Sequence, residues 1–142
     1  MHINLNLEQN NFIALILDKL INNKLFKFLK LYSYSSCSTC CRAIKWLNNS
    51  IDFELIDILN NPPSKQILIL ASEAYGDRRK LLNTSGLAYR SIGADVVKKM
   101  SKNDFFDTIS KEPRLIKRPF LFKDNNFFLF GFKEEKWVEL LL

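Results

Sequence analysis

The chain has 142 residues, 47% hydrophobic and 25% charged, which suits one globular domain with a real core and excludes a disordered or membrane-embedded chain. Its net charge of +6 and pI of about 9.3 favour anionic partners: small oxyanions, an acidic protein surface or nucleic acid. The three cysteines are odd in number and too close together to staple a fold, which excludes a secreted disulfide scaffold and points to a reducing compartment, the cytoplasm.

The first 25 residues read as an N-terminal extension, helical or poorly ordered, ahead of a domain over 26–142. Phe12, Ile13, Ile16, Leu17, Leu20 and Ile21 recur at helical spacing, and Asn22-Asn23 can end that helix. Asp18 and Lys19 break the apolar run far short of the roughly 20 residues of a membrane span. Met1 to Asn11 lacks the positive charge of an export signal. The segment could pack on the domain, join a partner or come from an early start codon. The only histidine, His2, reads as a solvated tail residue. Its position removes Cys-His nucleophile pairs and His-based metal sites, so no metal is expected.

From there the pattern alternates. Leu25 to Tyr34 reads as a strand, Thr39 to Asn48 as a helix and Phe53 to Ile58 as a second strand. Asn61-Pro62-Pro63-Ser64 is a turn whose Ser64 can cap a helix over about Lys65 to Ala74. Asp77 to Ser110 holds helical pieces split by Gly86, Gly93 and Ser101, and Ser101 to Asp104 has capping-box-like spacing. Leu115 to Phe122, carrying Pro119, and Phe127 to Phe132 return to strands, with Asp124-Asn125-Asn126 as a hairpin turn. Glu134 to Leu142 closes the chain as a helix. The order βαβ, helical insert, ββα is a thioredoxin-like α/β layout: a three- to four-stranded mixed sheet with flanking helices.

All three cysteines fall within Cys37-Ser38-Thr39-Cys40-Cys41, where the first strand gives way to the first domain helix. A C-x-x-C at such a junction is a redox site by its physics. The first sulfur lies where unpaired N–H groups and the positive dipole end favour a thiolate. The second lies one turn on, within bridging reach. Cys41 reads as an inward-packing thiol or, at i+4, as a competitor for the disulfide. Thr39 reads as the helix cap, or as a donor to a sulfur or oxyanion. The alternating Phe120, Phe122, Phe127, Phe128, Phe130 and Phe132 read as a core face. With scattered basic charge beside them, no direct nucleic-acid contact is expected.

Four segments together carry a resemblance. They are Leu31 to Cys40 with Ala43 and Trp46-Leu47; Leu81-Leu82-Asn83-Thr84-Ser85-Gly86 with Tyr89-Arg90; Leu115-Ile116-Lys117-Arg118-Pro119-Phe120; and Gly131-Phe132-Lys133. On these the chain resembles the glutaredoxin-like arsenate reductase family, with its Spx/MgsR and YffB-type relatives. The motifs are specific for the superfamily and much less so for the activity within it.

The resemblance implies that Cys37 is the nucleophile and Cys40 its partner. Arg118 and Arg79 take the places of two of the three arginines around the cysteine that attacks arsenate. Thr39 and Pro119, the latter in the cis form, border the substrate. Glutathione with glutaredoxin, or thioredoxin, would be the reductant, with no bound cofactor. Two positions depart from the arsenate pattern. The third arginine is absent from Gly131-Phe132-Lys133. Cys41 stands where an arginine usually follows the C-x-x-C, leaving Arg42 one residue late and about 100° further round the helix. Spx-like relatives imply another role for the same C-x-x-C, an oxidation sensor on a regulator that binds the RNA polymerase α subunit.

Overall fold

The computed structural model describes residues 10–17, 29–123 and 127–142. His2, Leu20, Ile21, the Asn22-Asn23 stop, residues 25–28 of the expected first strand and the Asp124–Asn126 turn lie outside the described residues. Residues 10–17 are helical, with Phe12, Leu15 and Leu17 exposed.

The described elements run β1 (Lys30–Ser33), α1 (Ser38–Asn48), β2 (Glu54–Asp57), α2 (Lys65–Tyr75), a 3₁₀ turn (Arg78–Leu81), α3 (Leu87–Ile92), α4 (Ala94–Lys99), α5 (Lys102–Lys111), a second 3₁₀ turn (Pro113–Leu115), β3 (Phe120–Lys123), β4 (Phe127–Phe130) and α6 (Glu134–Leu141). The strands form one sheet in the order β2-β1-β3-β4. β1 and β2 are parallel, while β1–β3 and β3–β4 are antiparallel, so the sheet is mixed as expected. Because β3 runs against both its neighbours, the end of β1, the start of β3 and the end of β4 meet at one edge of the fold.

The period-2 alternation of the strands splits the core in two. Leu29, Leu31, Leu121 and Leu129 face α1 and α6, packing with Ala43, Leu47 and Trp137. Tyr32, Phe120, Phe122 and Phe128 face α2, α5 and the insert. Of the aromatic run, Phe120 and Phe130 stack at 4.3 Å and 3°, while Phe127 and Phe132 join the opposite layer. Ser64 caps α2 through Ile67 N–H and Ser101 caps α5 through Asp104 N–H, as their positions suggested. Arg78 fastens the insert. Its guanidinium lies 4.5 Å over the Phe105 ring and donates to the Met100 carbonyl at 2.7 Å.

One expected strand is corrected. Leu115 to Phe122 is not continuous, because β3 begins only at Phe120. Leu115 ends a 3₁₀ turn, Ile116 makes a single bridge to Leu82, and Pro119 has no N–H to give a ladder. The segment instead clamps the insert. Asn83 N–H donates to the Leu115 carbonyl at 2.8 Å and Lys117 N–H to the Leu81 carbonyl at 2.7 Å. This holds Lys80 and Asn83 beside Lys117 and Arg118.

Trp137 carries the attachment of α6. It is 1% exposed and meets Phe132 at 4.8 Å and Trp46 at 6.0 Å, both edge-on. Trp137→Ala should therefore lower the unfolding free energy by about 3–5 kcal/mol. A denaturant midpoint equal to that of wild type would show that α6 is not held this way.

Candidate active site

The loop leaving β1 places Cys37 at the N-cap of α1. Its backbone is extended (φ −93°, ψ 111°), and its Sγ accepts the Cys40 backbone N–H at 3.3 Å. The capping role expected for Thr39 therefore belongs to the Cys37 sulfur, and Thr39 lines the adjoining cleft instead. The physical reason is register. Because the helix begins at Ser38, the residue before it presents its side chain to the free amides of the first turn. The Cys37 N–H donates to the Tyr34 carbonyl at 3.0 Å, which ties the nucleophile back to the strand.

Cys40 lies one turn in, wholly buried, with its backbone N–H on the Cys37 sulfur. Burial raises the pKa of Cys37, but the bonds from the Cys40 thiol and amide, then the charge and hydrogen bond of Arg118, outweigh it. The net result is a pKa below the ordinary thiol value. Burial and the bond to Cys37 push Cys40 the other way, up to about 12. The pair is thus divided: Cys37 ionises more readily than an ordinary thiol, whereas Cys40 holds its proton.

Arg118 is held for its task by Tyr34, whose ring centroid lies 5.0 Å from the guanidinium carbon. Pro119 is buried and its peptide bond is cis. It does not line the cleft, and its carbonyl accepts the Gly131 N–H at 2.9 Å. That contact needs the left-handed turn at Gly131 (φ +74°), where a Cβ would come within 3.1 Å of Lys117 Cε.

Two sequence expectations are changed by this placement. Arg79 is not brought to Cys37. Its side chain is 71% exposed and grips Asp77 through two 3.1 Å bonds, because Asp77 caps the same 3₁₀ turn two residues earlier. Lys80 lines the Cys37 cleft in its stead. Cys41 does not pack inward. The residue after a buried helical position turns about 100° away, and Cys41 is exposed, with its Sγ 3.9 Å from the Ser35 carbonyl.

The cleft that opens on Cys37 has a volume of about 660 Å³. Arg42 reaches it despite standing one residue late, since it shares a side of α1 with Thr39 three residues earlier. Lys117, Lys133 and Lys136 also line it, with Asn83, Ser85 and the half-buried rings of Tyr75, Phe130 and Phe132. Sequence reasoning did not assign roles to these lysines. The signal for two of them was present in Lys117-Arg118 and Gly131-Phe132-Lys133, read there only as parts of motifs.

The ArsC family model matches residues 32–140. The chain belongs to the ArsC family. It is similar to the uncharacterized protein YusI of Bacillus subtilis, 36% identical over 114 residues, covering 78% of this chain and 96% of that one. It is 30% identical over 111 residues to the global transcriptional regulator Spx of Lactiplantibacillus plantarum, covering 75% and 80%. Among solved structures, a possible arsenate reductase from Streptococcus mutans superposes with a TM-score of 0.73 at 32% identity, over 79% of this chain and 98% of that one. This ArsC-family likeness accounts for the thioredoxin-like fold and extends to regulators as well as reductases.

The charge division has a direct readout. With its folded pKa lowered, Cys37 is more ionised at neutral pH than an unperturbed cysteine. Its alkylation should therefore level off at a lower pH than that of a free cysteine peptide. Arg118→Ala removes a lowering influence and should move that plateau to higher pH, slowing labelling at neutral pH. Arg79→Ala, whose guanidinium lies on Asp77, should leave the profile in place. Equal shifts in the two variants would show that Arg79 acts on Cys37 after all.

Proposed function

We propose that the protein is a cytoplasmic thiol–disulfide oxidoreductase with arsenate reductase-like chemistry, using Cys37 as nucleophile and Cys40 as resolving thiol. The observation that carries this reading is the sulfur pair itself: Cys37 Sγ at the helix start accepts the backbone N–H of the wholly buried Cys40 one turn on, with the pKa of Cys37 lowered and that of Cys40 raised. In the first step the Cys37 thiolate attacks one sulfur of a disulfide. A mixed disulfide forms and the other sulfur leaves as a thiolate. Cys40 then gives up its proton and attacks the Cys37 sulfur, expelling the second thiol and closing Cys37–Cys40. The substrate gains two electrons and the protein loses two. Glutathione with glutaredoxin, or thioredoxin, would return the pair to the dithiol.

The high pKa of Cys40 suits this order. It stays protonated while Cys37 is free, and the influences of the Cys37 sulfur and its charge that raise it disappear once that sulfur is held in a mixed disulfide. Arsenate itself has less support than thiol chemistry as the natural substrate. Arg118 supplies one planar fork, Arg79 faces elsewhere, and Lys133 stands where the third arginine would be. Among the described residues no helix is long and apolar enough to cross a membrane.

A second reading is favoured by the Spx relatives, which share the domain. In that reading the Cys37–Cys40 pair reports oxidation to a bound RNA polymerase α subunit, and there is no turnover to lose.

The two readings separate in single turnover with hydroxyethyl disulfide. Without added thiol, Cys40→Ser should stop at a mixed disulfide on Cys37, seen as an added mass, and Cys37→Ser should form none. Wild type should then turn over repeatedly under glutathione and glutaredoxin. Wild-type inactivity toward both disulfides and arsenate, together with tight α-subunit binding, would transfer the assignment to the regulator.

A further inference from the structure

Six cationic side chains line the cleft at Cys37: Arg42, Lys80, Lys117, Arg118, Lys133 and Lys136. No aspartate or glutamate lines it, and none of the six pairs with a carboxylate among the described residues. Glu134 and Glu135 begin α6 but lie outside the lining. A cleft of this kind focuses positive potential on the nucleophile rather than neutralising it. Its volume of about 660 Å³ falls in the range of small-molecule sites and is far larger than one tetrahedral oxyanion needs. The charges are also spread. They come from α1, the 3₁₀ turn after α2, the segment before β3 and the start of α6. Four of the six are lysines, which bind phosphates and carboxylates as separate point charges rather than as one planar fork. Tyr75, Phe130 and Phe132 add partly exposed aromatic walls.

We propose that this cleft is a specificity site for the disulfide of a small thiol carrying several anionic groups, phosphates or carboxylates, whose sulfur is delivered to Cys37. The inference rests on the oxidoreductase reading above and names its substrate class. The Cys37 thiolate attacks the near sulfur, Cys37–S–S–R forms, and the anionic thiolate R–S⁻ is released against the lysine rim. Lys133 and Lys136 belong to that rim. Lys133 is the extended N-cap of α6 and Lys136 lies in its first turn, and both line the cleft.

The test uses the full-length Cys40→Ser chain in single turnover with four disulfides. Coenzyme A disulfide carries phosphates, glutathione disulfide carries carboxylates, hydroxyethyl disulfide is neutral and cystamine is cationic. Each rate constant is divided by that of the same disulfide with a model cysteine thiol, which removes intrinsic reactivity. The normalised rate should be at least about tenfold higher for an anionic disulfide than for the neutral one, and lowest for cystamine, with the advantage shrinking as salt is raised. Faster reaction of coenzyme A disulfide assigns the rim to phosphates, and faster reaction of glutathione disulfide assigns it to carboxylates. Lys133→Glu/Lys136→Glu should cut the anionic-to-neutral ratio about tenfold, whereas Lys111→Glu, on α5 outside the cleft, should not. Normalised rates within twofold for all four, or an unchanged ratio in the double variant, would overturn the proposal. If no disulfide reacts with Cys37, the oxidoreductase reading fails by itself. The site is then read by calorimetry with S-methyl coenzyme A and S-methylglutathione: binding lost in the double variant supports it, and no binding to wild type overturns it.

Discussion

The site depends on one hydrogen bond, from the Cys40 backbone amide to the Cys37 sulfur. The first turn of α1 has amides that no carbonyl within the helix can satisfy. Here a sulfur takes the place usually held by a hydroxyl or carboxylate oxygen. The helix's need for a cap and the chemistry's need for a thiolate are met by the same contact. No acidic residue in the first turn competes for the positive end of the helix. The tie from Cys37 N–H to Tyr34 connects this cap to the sheet, and Tyr34 in turn supports Arg118. Strand, cap and counter-charge therefore form a single mechanical unit.

The antiparallel placement of β3 brings the remaining parts to the same edge. The segment before β3 carries Lys117 and Arg118, and the turn after β4 leads through Gly131 to Lys133. The two backbone bonds that clamp residues 81–83 to residues 115–117 add Lys80 and Asn83 from the insert. Positive charge gathered in this way costs self-repulsion, which water at the open cleft moderates. What is gained is a field that supports ionised Cys37 and attracts anions toward it. The relatives of this chain include a global transcriptional regulator as well as a possible arsenate reductase. Reading the present chain as an enzyme therefore turns on what its cleft can admit.

Much of this was legible in the sequence because the hydrophobic period changes clearly along the chain. The switch from Leu31-Tyr32 to the Cys40, Ala43, Leu47 spacing marked strand and helix, and the C-x-x-C at that junction marked the site. The strand boundary at Pro119 was not legible, since the apolar residues Leu115 and Ile116 look the same to a periodicity argument whether they pair in a ladder or clamp an insert. The Cys37 sulfur at the free amides was legible, but the cap itself was given to Thr39 on propensity, where register decides for Cys37. Among Arg78, Arg79 and Lys80, successive residues of a 3₁₀ turn diverge by about 120°, so three adjacent cations serve three purposes. Arg78 crosses Phe105, Arg79 takes Asp77, and Lys80 faces the cleft. Only the partners on other elements reveal which does which. For the same reason the closing helix from Glu134 was legible, but not that Lys133 and Lys136 line the cleft at Cys37.

The central claim is that Cys37 and Cys40 act as one redox couple, with Cys41 outside it. Cys40 is buried against the Cys37 sulfur, whereas Cys41 turns outward to the Ser35 carbonyl. Mild oxidation of the full-length protein, followed by mass mapping of the linked peptides, measures this directly. The account predicts a Cys37–Cys40 disulfide with Cys41 still free to alkylate. A dominant Cys37–Cys41 linkage, or no intramolecular disulfide at all, would contradict it.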